Sequence, residues 1–196
     1  DLPLNGKRVL ITTGPTFEAI DPVRFIGNHA SGKMGFALAK VAAELGADVI
    51  LVTGPTQEKI DNPSVKVQAV VSADEMFEAV KKEFSTIDIA IAAAAVADFK
   101  PQTVASQKIK KAKSNLTIAL TPTKDILAYM GQMKKQQCLI GFALETENEL
   151  ENAKLKLKKK NLDGIVLNSL QDPGAGFSVS TNKITFIRAD HSVKDF

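Results

Sequence analysis

Residues 87–96 read Ile-Asp-Ile-Ala-Ile-Ala-Ala-Ala-Ala-Val, a run with one charge and no alternation of polar and apolar positions. A strand with one wet face alternates, so a run apolar on both faces belongs in the middle of a sheet covered on both sides. Such sheets are parallel, and parallel neighbours need a crossover, usually a helix. The chain supplies those crossovers. Apolar runs at 8–13, 48–53, 65–71, 138–143 and 164–168, with a shorter one at 116–120, alternate with helix-length segments at 33–45, 72–84, 125–133 and 147–160. The expected fold is therefore α/β, a doubly wound, mostly parallel sheet. Residues 183–188, after a loop rich in Gly, Pro and Ser at 172–180, read as an antiparallel edge strand.

Local signals fix several details. Helix 33–45 places Met34, Ala37, Leu38, Val41, Ala42 and Leu45 on one face and stops at Gly46. Ser72, with Glu75 three residues on, reads as the cap of the next helix. Cys138, in an apolar strand, reads as a buried core thiol. At 196 residues the chain is expected to form a single domain over 1–196. No apolar run approaches the roughly 20 residues of a membrane span, and the first residues lack the order of a signal peptide. One cysteine and no possible internal disulfide suit a cytoplasmic location. A net charge of +3, no tryptophan and one tyrosine argue against a nucleic-acid partner. Two histidines and one cysteine argue against a structural zinc site.

In a doubly wound sheet ligands sit at the carboxyl ends of the strands. Segments 14–16, 54–56, 94–98 and 141–143 are thus expected to converge on one cleft. Beside it, Gly27-Asn28-His29-Ala30-Ser31-Gly32-Lys33 follows the phosphate-loop pattern until Met34 replaces the Ser or Thr hydroxyl that would ligate Mg²⁺. The preceding strand ends fourteen residues earlier, so the segment reads as an anion-friendly helix N-terminus and not as a P-loop. A nicotinamide-dependent reductase is opposed on three counts. No G-x-G-x-x-G follows the first strand, the second ends Val52-Thr53-Gly54 without an acid, and Tyr129 has Met133 in place of a lysine four residues on.

The connection from first strand to first helix is longer than the usual 2–6 or so residues. Its stretch Asp21-Pro22-Val23-Arg24-Phe25-Ile26 has the apolar content of ordered chain. Arg24 reads either as a surface ion pair or as a fork for phosphate or carboxylate. Lys33, in a helix's first turn, would favour a nearby anion, and His29 reads as a positioning group. The run Lys108-Ile109-Lys110-Lys111-Ala112-Lys113 is either a solvated loop or, within 98–114, a flap closing over phosphates. Lys154, Lys156, Lys158, Lys159 and Lys160 form a basic helix, with Lys156 and Lys160 on one side.

The run GPTFEAIDPVRFIGNHASGKMGFALA, followed by AAAVADFKP, KIKK, TKDIL, GFALETE and KKKNLD, resembles the bacterial phosphopantothenoylcysteine synthetases over nearly the whole chain. The resemblance implies a Rossmann-like fold without a nicotinamide, in a homodimer whose partner helps form the phosphopantothenate site. It also implies a CTP-dependent ligation of 4′-phosphopantothenate to L-cysteine through an acyl-cytidylate, with Mg²⁺ carried mainly by the triphosphate. By resemblance, Asn28 holds the acyl-cytidylate, Arg24 lies near the acyl and phosphate groups, and Lys108 on the flap stabilises charge in the first step. Ala94 and Ala95 allow close approach of the intermediate. Asp98, Phe142, Lys156, Lys160 and Gly14 are nucleotide positions, and the backbone of Lys124, Asp125, Ile126 and Leu127 lines the cytosine. Lys124 departs from the proline of many members' N-P-D-I motif. The chain also stops at Phe196 without a final helix, and its opening Asp-Leu-Pro-Leu-Asn-Gly-Lys looks like a junction to a fused flavin-dependent decarboxylase. The alternative is a non-catalytic nucleotide-binding or regulatory module of the same fold.

Overall fold

A computed structural model describes residues 1–145, 147–169 and 184–196. In chain order the elements are β1 (Arg8–Thr13), β2 (Glu18–Ala19), β3 (Phe25–Ile26), α1 (Lys33–Glu44), β4 (Asp48–Thr53), β5 (Val65–Ala69), α2 (Ala73–Glu83), β6 (Ile89–Ala92), β7 (Phe99–Pro101), β8 (Leu120–Pro122), α3 (Ile126–Met133), β9 (Cys138–Glu145), α4 (Glu149–Lys159), β10 (Gly164–Ser169), β11 (Ile184–Arg188) and β12 (Val193–Asp195). Eight strands form one sheet in the order β12-β11-β10-β9-β6-β1-β4-β5. Pairing is parallel from β5 through β10 and antiparallel at β10–β11 and β11–β12. This is the Rossmann-like, mostly parallel sheet with an antiparallel edge that the alternation implies. The predicted loop at 172–180, and Lys183 at the head of the predicted edge strand, lie outside the described residues.

The chain builds outward from β1 twice, to β4 and β5 on one side and to β6, β9 and β10 on the other. The strand order therefore reverses between β1 and β6, where neighbouring crossovers leave the sheet in opposite directions. In β1, Leu10 joins the core beneath α2, α3 and α4, where Met76, Val80, Ile126, Met130, Ala153 and Leu157 are buried. Val9 and Ile11 point to the other face and pack with Phe36, Ala39 and Ala42 of α1. The two-residue period of the strand thus distributes the helices three to one.

That asymmetry corrects two expectations. The buried face of α1 is Gly35, Phe36, Ala39 and Ala42, whereas Ala37, Val41 and Leu45 are exposed. Gly35 selects the face: a Cβ there would lie 2.1 Å from Thr13 Oγ1, so a glycine lets the helix lie directly on the end of β1. Cys138 is in a strand as expected, but it is exposed. It pairs with Ile89 and so shares the sheet face of α1, which packs mainly over β1, β4 and β5. Two strands also differ from expectation. The apolar run yields regular pairing only over Ile89–Ala92, and the strand expected at 116–120 lies at Leu120–Pro122, where it pairs with Phe99–Pro101.

Ser72 caps α2, its hydroxyl accepting from the Glu75 N–H at 3.2 Å, while the Glu75 carboxylate accepts from the Val71 N–H at 2.7 Å. Asp74 and Glu75 lie in the first turn and Lys81 and Lys82 in the last, matching the helix dipole at both ends. Ser72→Ala is expected to lower stability by about 1 kcal/mol, read as a shift of the urea midpoint at constant slope.

Candidate active site

The long β1–α1 connection is an ordered hairpin. Glu18 and Ala19 pair with Ile26 and Phe25, and the Phe17 and Phe25 rings stack at 3.9 Å. The buried Glu18 carboxylate accepts from the Ala73 N–H, which ties the hairpin to the positive end of α2. Asp21 is 2% exposed and organises the tip: its Oδ1 accepts from the N–H groups of Val23 and Arg24, both at 2.8 Å. Its Oδ2 accepts from the Ile109 N–H at 3.0 Å and pairs with Arg24 Nη2 at 2.8 Å. The Ile109 N–H is the largest of the influences that hold the Asp21 carboxyl down at about 2, against the opposing effect of burial. Arg24 is thus an ion-pair partner in this structure, and its guanidinium also donates to the Ile109 carbonyl at 2.5 Å.

At the carboxyl ends of β1, β6 and β9 lies a cavity of about 440 Å³. Its floor is Thr12, Ala92 and Ala94, one wall is the turn from Thr123 to Leu127, and Phe142, Lys156 and Lys160 close the far side. It sits at the reversal of strand order, where the sheet leaves room for a ligand. The wall is held by Thr123, whose hydroxyl donates to the Ala97 carbonyl and whose N–H donates to the Asp98 carbonyl. Asp125 caps α3 through the Ala128 N–H at 2.8 Å and ion-pairs with Lys160. Burial alone would raise the Asp125 carboxyl, but Lys160 and the Ala128 N–H outweigh it and hold it below its ordinary value. Lys156 donates to the Phe142 carbonyl at 2.8 Å, and burial pushes its ammonium below the usual lysine value. Two cations from one helix face thereby line the cavity opposite the turn from Thr123 to Leu127. Lys158 and Lys159 stay exposed.

Nine of the sequence-predicted positions line this cavity: Ala94, Asp98, Lys124, Asp125, Ile126, Leu127, Phe142, Lys156 and Lys160. Five do not. Asn28 reaches its rim, donating to the Ala95 carbonyl at 2.8 Å, and Ala95 in turn donates to the Gly14 carbonyl. Segments 14–16 and 54–56 therefore do not join the cavity as expected. They pack on each other beside the start of α1, where the Thr56 hydroxyl donates to the Ser31 carbonyl. Arg24 lies in the hairpin, and Lys108 is exposed on the flap. That flap leaves β7, so its first residues are strand and not irregular chain.

Thr12 and Thr123 line the cavity without having been singled out from the sequence. Thr12 is the last residue but one of the predicted first strand and could have been found by asking which side chains near the strand ends carry a hydroxyl. Thr123 opens the TKDIL stretch, but nothing in its neighbours marks it chemically. Lys124 contributes backbone to the cavity while its side chain turns outward, reaching Glu78 at 3.4 Å and lying 4.7 Å above the Phe77 ring. Among the described residues no cluster of three or more His, Cys, Asp or Glu side chains is arranged to hold a metal. No described helix is long and apolar enough to cross a membrane.

Residues 4–196 match the family described as the DNA/pantothenate metabolism flavoprotein C-terminal domain. A prokaryotic protein named cysteine/cysteine sulfinic acid decarboxylase is 55% identical over 99% of this chain and 54% of its own length. The coenzyme A biosynthesis bifunctional protein CoaBC of Bacillus subtilis strain 168 is 49% identical over 96% of this chain and 46% of its own. The chain spans about half the length of these curated relatives. The crystal structure of a CoaBC C-terminal domain superposes with a TM-score of 0.84 at 44% identity, covering all of this chain and 88% of that one. A Cab2 mutant in complex with phosphopantothenate-cysteine shares the fold at a TM-score of 0.80 and 19% identity. With the sheet order, the strand-end cavity and a match over 4–196, the chain belongs to the DNA/pantothenate metabolism flavoprotein C-terminal domain family, that of the C-terminal domain of CoaBC.

Proposed function

We propose that the chain is a ligase of coenzyme A biosynthesis that joins 4′-phosphopantothenate to L-cysteine at the expense of CTP. The observation that carries this reading is the cavity itself. Lys156 and Lys160 line it from one helix face and would meet a triphosphate, and the turn from Thr123 to Leu127 lines the opposite wall, where its main chain would read a base. No aromatic pair is needed for such a readout. Magnesium would enter as the counter-ion of the triphosphate; of the two lining carboxylates Asp125 is engaged by Lys160 and the Ala128 N–H, which leaves Asp98 as the one to face it.

In the first step the phosphopantothenate carboxylate attacks the α-phosphorus of CTP; a new P–O bond forms as the bond to pyrophosphate breaks. The cysteine amine then attacks the acyl carbon, the acyl–phosphate bond breaks with release of CMP, and the amine proton leaves to solvent. Asn28, at the cavity rim beside Ala95, holds the acyl group, with Ala94 leaving room for it. Lys108 covers the reacting phosphates from the flap, beside Arg24, whose guanidinium holds the carbonyl of the next residue, Ile109. The reading extends to a homodimer, supported by apolar side chains turned outward on two adjoining hairpins: Val23 and Phe25 of one, Phe99 and Leu120 of the other, with Phe25 50% and Phe99 52% exposed. The relatives of about twice this length fit a protein in which this domain follows a decarboxylase, in the cytoplasm.

Pyrophosphate release is the test. With CTP, Mg²⁺ and phosphopantothenate but no cysteine, the protein is expected to release about one pyrophosphate per site and then stall; adding cysteine restarts turnover. Release that requires cysteine from the outset, or release with no phosphopantothenate, contradicts the acyl-cytidylate. The same assay with ATP decides the nucleotide.

A further inference from the structure

The flap that carries Lys108 is tied to the rest of the molecule at few points. Between Gln102 and Asn115 only Ala105 and Ile109 are withdrawn from solvent, and both are anchored on the β2–β3 hairpin. The Ala105 N–H donates to the Ile20 carbonyl at 3.0 Å. Ile109 is gripped on both of its backbone groups: its N–H donates to Asp21 Oδ2 at 3.0 Å, and its carbonyl accepts from Arg24 Nη2 at 2.5 Å. Asp21 and Arg24 are themselves joined at 2.8 Å, which closes a ring of three contacts around one residue of the flap. Nothing in the secondary structure requires this, because the partners are 85 and 88 residues apart and none of the three lies in a strand or a helix.

From this geometry we infer that Asp21 is a positioning residue: with Arg24 it forms a latch that fixes the flap at Ile109 and so sets where the adjacent Lys108 stands over the reacting phosphates. The inference rests on the ligase reading for its catalytic consequence, though not for its structural one. The carboxylate divides its work by oxygen. Oδ1 holds the hairpin turn through Val23 and Arg24, while Oδ2 faces Ile109 and the guanidinium. An amide in its place keeps an oxygen for the turn but turns an NH₂ toward two donors, which breaks the latch and spares the turn.

The test compares Asp21→Asn with Ile109→Pro, which removes the same hydrogen bond from the flap side and leaves the hairpin unaltered. Tryptic cleavage after Lys110 and Lys111 in the free protein is expected to quicken at least about tenfold in both variants, with the Val23 and Arg24 amides still protected from exchange in Asp21→Asn. In the ligase assay kcat for pyrophosphate release is expected to fall about tenfold to a hundredfold, because a displaced group loses near-attack geometry, while KM for CTP stays within about twofold. Unchanged cleavage in Ile109→Pro overturns the latch even if Asp21→Asn fails to fold. Faster cleavage with kcat intact overturns the positioning role. A wild-type protein that releases no pyrophosphate overturns the ligase reading alone, since the cleavage comparison is independent of it.

Discussion

Lys108→Gln is expected to slow pyrophosphate release by about 10²–10³-fold, the usual effect of removing one group aimed at developing charge. The lysine is exposed and has no ion-pair partner among the described residues, so the substitution leaves no charge orphaned and should not shift the thermal midpoint. Its effect is then assigned to chemistry. Asn28→Asp is the companion. It replaces an amide that donates to the Ala95 carbonyl at 2.8 Å with a carboxylate oxygen facing the same carbonyl, and two acceptors at that distance repel. Holding of the acyl group is lost while the flap is untouched, so the acyl-cytidylate should form and persist. Single-turnover quenching with mass detection separates the cases: no intermediate in Lys108→Gln, accumulated intermediate in Asn28→Asp. Failure of both at the same step would show that the two residues do not divide the reaction as proposed.

Gly54→Ala is expected to cost at least about 3 kcal/mol, at the upper end of overpacking. A Cβ on Gly54 would lie 1.5 Å from the Pro15 carbonyl oxygen and 2.7 Å from its carbon, and both of those atoms are backbone. No rotamer relieves such a contact. Either the chain after β4 or the chain after β1 must move, and the latter is bridged to Ala95 at the rim of the cavity. The midpoint of urea denaturation measures the loss; a change within about 0.5 kcal/mol would mean that the two strand ends separate freely.

Much of the fold is legible in residue order because its causes are local. The apolar strands, the Ser72 cap and the stop at Gly46 each depend on neighbours within one turn of chain, and each is found at or near its expected place. The face of α1 is different. Its apolar residues fit more than one stripe, and the choice is made by Thr13, a residue of β1 onto which only a glycine-bearing face fits closely. Cys138 is misjudged for a related reason: strand composition reports apolar character, whereas exposure depends on where a separate helix ends.

The candidate site divides in the same way. Lys156 and Lys160 are recognisable as one helix face, and the wall from Lys124 to Leu127 follows from the resemblance to the ligase family. The contacts of Asp21 with Ile109 and of Thr123 with Ala97 have no signature in their neighbourhoods, since each pairs groups brought together by the winding of the sheet. By itself the sequence determined the class of fold, the order of its elements and the residue types available to bind an anion, all properties set by periodicity and composition. Only the tertiary structure decided which strand ends share a cavity, which face of α1 is buried and what holds the flap, because those depend on distances between segments that no local rule relates.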